Sequence, residues 1–152
     1  MKMFLLFFSA FAYVSVVAAT LQDEKGTSVG QRKGSAIAGV EILTPTGSVD
    51  FTDYIKSLHA SVRKNWLALM PKSVEAGEKG KVVLRFQILP QGKLQEKDLI
   101  VESATGSEEL RRASIAAIKA SSPFEPLPKA FEGPYIEVRF TFLYNLPAPA
   151  RP

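Results

Sequence analysis

The chain has 152 residues, 46% of them apolar, and a formal net charge of +4, which allows one folded domain with appendages. It contains no cysteine, so disulfides and thiolate metal sites are excluded. Its basic residues are interleaved with acids rather than gathered into a stripe, which argues against a nucleic-acid partner. In chain order, Lys2 precedes an apolar and small-residue run from Met3 to Ala19, and the polar LQDEKG follows Thr20. A short positive start, an apolar middle and small residues before a cut predict a secretory signal peptide over residues 1–19. The alternative is a short membrane anchor, because the run just reaches the roughly 17–25 residues that span a bilayer. Residues 20–48 are polar, Gly-rich and aperiodic, and read as a flexible lead. Within them Val40 to Leu43 is a short apolar patch, ended by the turn cluster Thr44-Pro45-Thr46-Gly47 and expected to pack on the domain as an extended piece.

The domain is expected over residues 49–145. Phe51, Ile55, Leu58, Val62, Trp66 and Leu69 recur at spacings of three and four, which predicts one apolar helix face, with Trp66 in the core and Lys56, His59, Arg63 and Lys64 mainly away from it. Asp50 is the expected N-cap, Asp53 favours the helix dipole and Pro71 stops the helix. In Lys81 to Leu89, Val82, Leu84, Phe86 and Ile88 alternate with Val83, Arg85 and Gln87, the period-2 mark of a strand. Pro90-Gln91-Gly92-Lys93 is a turn, and Leu94 to Ser103 returns as a second strand. Ser107 is placed to cap a second helix with Glu108 and Glu109 in its first turn. Its face of Leu110, Ala113, Ser114, Ala117, Ile118 and Ser121 is small enough to lie close to a sheet. After Pro123, Phe124 and Leu127 are expected to pack within a rigid crossover. In the last strand Ile136, Val138, Phe140, Phe142 and Tyr144 share one face, and Tyr135, Glu137, Arg139, Thr141 and Leu143 share the other. Residues 146–152 form a Pro-rich tail.

The expected fold is α+β, with topology α-β-β-α-β. A hairpin followed by a right-handed helical crossover gives a three-stranded antiparallel sheet of order 2-1-3, with two helices packed on one face. The last strand then lies at an edge, where unpaired N–H and C=O groups accept a strand from another chain. The partner-binding candidates are accordingly Tyr135, Glu137, Arg139, Thr141, Leu143, Tyr144 and Asn145. Arg85, Glu137 and Arg139 are also placed to form a polar network on the open face.

No catalytic pattern emerges. His59 is the sole histidine and cannot by itself build a zinc site. Glu108 and Glu109 are explained by the helix start, and adjacent helical residues point apart. Gly77, Gly80 and Gly92 lack the spacing of a phosphate loop. The expectation is a binding protein, not an enzyme, with no cofactor and no metal.

YIKSLHASVRKNW before Pro71, GKVVLRFQILPQGKL, TGSEELRRASIAAIKASSPFEPLP and the closing FEGPYIEVRFTFLYN, in that order, resemble the C-terminal domain of the TonB family of energy transducers, a fold shared with the TolA C-terminal domain. The resemblance spans roughly Val40 to Asn145. It implies a periplasmic domain that takes up the TonB-box peptide of an outer-membrane TonB-dependent receptor, or another envelope protein, by strand addition in energy-coupled transport. If the chain is anchored in the inner membrane, facing the periplasm, the resemblance also implies a motor such as ExbB–ExbD. The alternative is an envelope adapter using the same edge for self-association as a homodimer, uncoupled from a motor.

Overall fold

The computed structural model describes residues 35–149. Strand β1 (Ser35–Ile42) leads to helix α1 (Thr52–Ala68), a short helix α2 (Lys72–Glu75), the hairpin β2 (Gly80–Ile88) and β3 (Leu94–Ala104), helix α3 (Glu108–Ser121) and strand β4 (Ile136–Tyr144). The four strands form one antiparallel sheet of order β1-β4-β2-β3. The predicted order of the last three strands holds. The sheet has four strands rather than three, however, and β4 is not at an edge. β1 occupies its outer side, because the patch around Val40 continues the ladder instead of merely resting on the domain.

Alternation explains the core. Val82, Leu84, Phe86 and Ile88 of β2, together with Ile136, Val138, Phe140, Phe142 and Tyr144 of β4, are completely buried. They pack under Leu58, Val62 and Trp66 of α1 and Leu110, Ala117 and Ile118 of α3. The predicted small face of α3 is buried throughout, Ser114 and Ser121 included, and each of these serines returns its hydroxyl to the carbonyl four residues back. Phe124 and Leu127 join the core, with Phe124 stacked on Phe86 at 6.1 Å between ring centroids.

The hairpin turn needs its glycine. Gly92 has φ +86° and donates to the Leu89 carbonyl at 2.8 Å, and a Cβ there would collide with the carbonyl oxygens of Phe124 and Glu125.

Two local expectations are corrected and two are refined. Asp50 does accept the Thr52 N–H at 2.8 Å, but the helix cap position is Phe51, which is itself buried. Tyr54 belongs to the buried face, its hydroxyl donating to the Glu125 carbonyl at 3.0 Å, whereas Leu69 lies past the end of α1 and is 42% exposed. Ser107 occupies the cap position of α3 without a side-chain capping bond; its backbone carbonyl accepts from Leu110 N–H and its own N–H is held by Glu78. Pro71 ends α1 but also opens α2, since a proline is compatible with a helix start.

Candidate functional site

β4 has two neighbours of different character. β2 pairs with it without interruption from Gly80↔Tyr144 to Ile88↔Ile136. β1 pairs from Ser35↔Tyr144 to Ile42↔Val138, with a slip of register between Ile37 and Gly39. The pairing runs past the strand end: Leu43 N–H donates to the Glu137 carbonyl at 2.8 Å, and Glu137 N–H donates to the Thr44 hydroxyl at 2.8 Å. Of the β1 residues from Gly39 onward, Val40 and Ile42 are half-buried, Gly39 and Glu41 are exposed, and none is fully buried. For these four residues backbone pairing, rather than burial, therefore carries most of the hold.

The open face of the sheet carries an ionic ladder across all four strands. Arg139 on β4 grips Glu102 of β3 with Nε at 2.7 Å and Nη2 at 3.2 Å, and reaches Glu41 of β1 with Nη1 at 3.0 Å. Arg85 on β2 sits beside Arg139 in register, its Nε 3.4 Å from Glu102 and 3.5 Å from Glu137. Those last distances bring the charges together without a well-formed hydrogen bond. Bonding from Arg139 holds the Glu102 carboxyl below its ordinary range, and the bonds to Glu102 and then Glu41 push the Arg139 guanidinium up. The predicted network of Arg85, Glu137 and Arg139 therefore exists, with Glu102 and Glu41 as its missing acids. Glu41 was legible as the polar position between Val40 and Ile42. Glu102 sits where the register of β3 slips, between Ser103↔Val83 and Val101↔Leu84, so alternation does not reveal its face.

Beside this ladder, Gly39 of β1, Thr141 and Leu143 of β4, Lys81 of β2 and the tail residues Leu146, Pro147 and Pro149 line a largely apolar groove of about 460 Å³. This is the size range of pockets that take ligands. Gly39 is the cross-strand neighbour of Thr141, and a Cβ built on it meets no atom within 4 Å.

The other predicted contacts separate. Tyr135 precedes β4 and is 37% exposed, and Leu143 faces the groove although it is 4% exposed. Tyr144 is in the core: its hydroxyl accepts from Trp66 Nε1 at 2.8 Å and lies 2.7 Å from Ser114 Oγ and 3.0 Å from the Leu110 carbonyl. Its burial pushes the phenol pKa up. A partner contact through Tyr144 is thus inconsistent with its packing, because its outward-facing neighbour is Leu143. Asn145 turns left-handed (φ 50°), and its amide donates to the carbonyls of Val74 at 2.7 Å and Glu78 at 2.8 Å, tying the end of β4 to the α2 region. His59 is not simply a surface residue. It is half-buried and stacked on Phe140 at 6.2 Å, and burial, with a smaller effect of Arg63, lowers its pKa.

Among the described residues no helix is long and apolar enough to cross a membrane. The segment expected to be a signal peptide or anchor, residues 1–19, lies outside the described residues, as do residues 20–34 of the lead and 150–152 of the tail.

An antiparallel sheet backed on one face by helices, with one strand held by half-buried side chains beside one whose inward face is fully buried, defines an α+β domain. The sequence profile of the Gram-negative bacterial TonB protein C-terminal family matches residues 71–146, and the chain belongs to that family. Its fold is similar to the solution structure of the Helicobacter pylori TonB C-terminal domain, with a TM-score of 0.50 and 22% identity, covering 66% of this chain and 86% of that one. No curated protein sequence matches the chain.

Proposed function

We propose that this is a periplasmic TonB-like domain that binds a peptide of an outer-membrane receptor, or of another envelope protein, by adding it as a strand to β4 on the side now held by β1. The observation that carries this reading is the asymmetry at β4: the β2 side is sealed by fully buried side chains, the β1 side by half-buried ones. A receptor peptide that displaces β1 recovers the same backbone bonds. Glu137, Arg139, Thr141 and Leu143 then tune which peptide fits from the open face, and Tyr135 and Asn145 flank the site. Family membership supports a role in energy-coupled transport, with coupling to a motor such as ExbB–ExbD resting on residues 1–19 acting as an anchor. The geometry also lets β1 of a second copy take the seat, so a strand-exchanged homodimer is the alternative. A concentration series by light scattering separates the two.

The test uses the absence of natural cysteine. Gly39→Cys and Thr141→Cys together place a thiol on each member of one cross-strand pair. Oxidation should staple β1 to β4 and abolish binding of a TonB-box peptide, measured by calorimetry, and reduction should restore it. Equal binding by the oxidised and reduced forms would rule out the seam as the site.

A further inference from the structure

β1 sits where the partner is expected to sit, so its side chains show what the seat accepts. Val40 and Ile42 turn toward Phe140 and Val138 in register and reach the edge of the core, so aliphatic side chains suit those two places. Between them Glu41 meets Arg139, whose remaining bonds to Glu102 hold the guanidinium in position whether or not Glu41 is present. An acid is the side chain that this place selects, since a bound arginine fork presents fixed donors to a carboxylate.

The fourth place is where β1 fits poorly. Gly39 contributes no side chain to a groove whose walls include Leu143, Leu146 and Pro147. Its φ is outside the left-handed region and a Cβ meets nothing, so the backbone does not require glycine there. An incoming segment with a large apolar residue opposite Thr141 would bury surface that β1 leaves uncovered, and would gain affinity over β1 on that account. The edge at the far side of the sheet lacks these features. The outer strand β3 carries Glu96, Lys97 and Asp98, and its pairing slips twice, both common means of keeping an edge from accepting strands.

We propose that β1 is an imperfect internal copy of the partner. The partner is an extended segment, antiparallel to β4, that presents in succession a large apolar residue opposite Thr141, an aliphatic residue opposite Phe140, an acid opposite Arg139 and an aliphatic residue opposite Val138. Its superiority over β1 at the Thr141 place is what drives exchange. This inference rests on the strand-addition reading.

The experiment titrates the full chain by calorimetry with three synthetic peptides: residues 35–44 of this chain, the same peptide with Gly39→Leu, and the peptide with both Gly39→Leu and Glu41→Lys. The Gly39→Leu peptide should bind roughly fivefold more tightly than the natural one, the gain expected for partial burial of a leucine. The added Glu41→Lys change should weaken it roughly three- to tenfold, as for exchanging an exposed ion pair for a like-charge contact. Arg139→Gln in the protein should abolish that discrimination while leaving the preference for leucine, and serves as the milder change because a reversed charge beside Glu102 endangers folding. Gly39→Leu in the protein should weaken binding of every peptide, because β1 then fills its own groove. Binding of all three peptides with equal affinity would overturn the inference and leave strand addition standing. Binding of a TonB-box peptide but none of these three would do the same. No binding of any peptide, even to a protein whose β1 is weakened by Ile42→Ala, would overturn strand addition as well.

Discussion

β2 and β1 make the same kind of contact with β4, an antiparallel ladder, yet they differ in everything that surrounds the ladder. β2 brings four completely buried side chains to it, and its register never slips along the shared length. Among its described side chains β1 brings Val40 and Ile42, both half-buried, a glycine beside an open groove and one exposed glutamate. Backbone bonds alone contribute modestly when water can replace them, whereas apolar burial scales with the area covered. A strand held mainly by its backbone is exchangeable for another strand at little cost; one held by its side chains is not. The proposed exchange therefore belongs on the β1 side of β4, though both sides are paired.

Several measurements would break or sharpen this contrast. The largest effect belongs to the core that β4 shares with the helices. Trp66 is fully buried against Phe142 and Tyr144, with ring centroids at 5.6 and 5.2 Å. Trp66→Ala should cost about 3–5 kcal/mol in denaturant unfolding, and a loss under about 1 kcal/mol would place the indole outside the cooperative core. Next comes the direct comparison of the two neighbours. Leu84→Ala on β2 should cost about 2–5 kcal/mol, the range for a buried leucine, and Ile42→Ala on β1 about 1 kcal/mol, scaled down for half burial. Equal losses would make β1 a core strand and remove the basis for exchange. Tyr144→Phe should cost about 1–3 kcal/mol, because Trp66 Nε1–H is left buried without its acceptor.

The smallest effects are those of pH. His59 is packed against Phe140 with its pKa lowered, so the unfolded chain takes up its proton first. Stability should therefore fall as pH drops below about 6.5, the ordinary histidine value, toward the lower folded value, and level off beneath it. His59→Gln should remove that slope, as followed by unfolding midpoints across the window. Glu102, with its pKa lowered by Arg139, acts at more acidic pH: its contribution is present above about 4.3 and is lost as pH falls through the folded value.

The features readable from the sequence were those written in an unbroken period. The alternation in Lys81–Leu89 and Ile136–Tyr144 specified β2 and β4, and the small face at Leu110, Ala113, Ser114, Ala117, Ile118 and Ser121 specified how α3 meets the sheet. β1 was only partly legible. Its residues SAIAGVEI include alanines and a glycine that strands disfavour, and the slip between Ile37 and Gly39 throws the apolar positions out of phase. Only Val40, Glu41 and Ile42 keep the alternation, so the patch was visible and a place for it on the edge of the last strand was conceivable, but nothing in its period fixed that pairing. The misplacement of β4 at an edge followed directly. α2, with four residues, is too short to show a period. At the candidate site, Glu137 and Arg139 were readable from β4. Glu102 was hidden by the irregular register of β3, and Tyr144 fell in the core because the strand stays in phase to its last residue. One design consequence follows for Thr141. A proline there would remove a ladder donor from a strand paired on both sides, so a proline probe of the seam belongs in β1.

The most direct test of exchange at the seam is amide hydrogen exchange, read residue by residue, with and without a saturating TonB-box peptide. In the free chain the amides of Glu41 and Leu43, which face β4, should be protected, but less than those of Val82, Leu84 and Phe86. On peptide binding β1 should lose its protection while β2 and β4 keep theirs. Bound peptide with β1 fully protected would contradict displacement and move the site elsewhere on the domain.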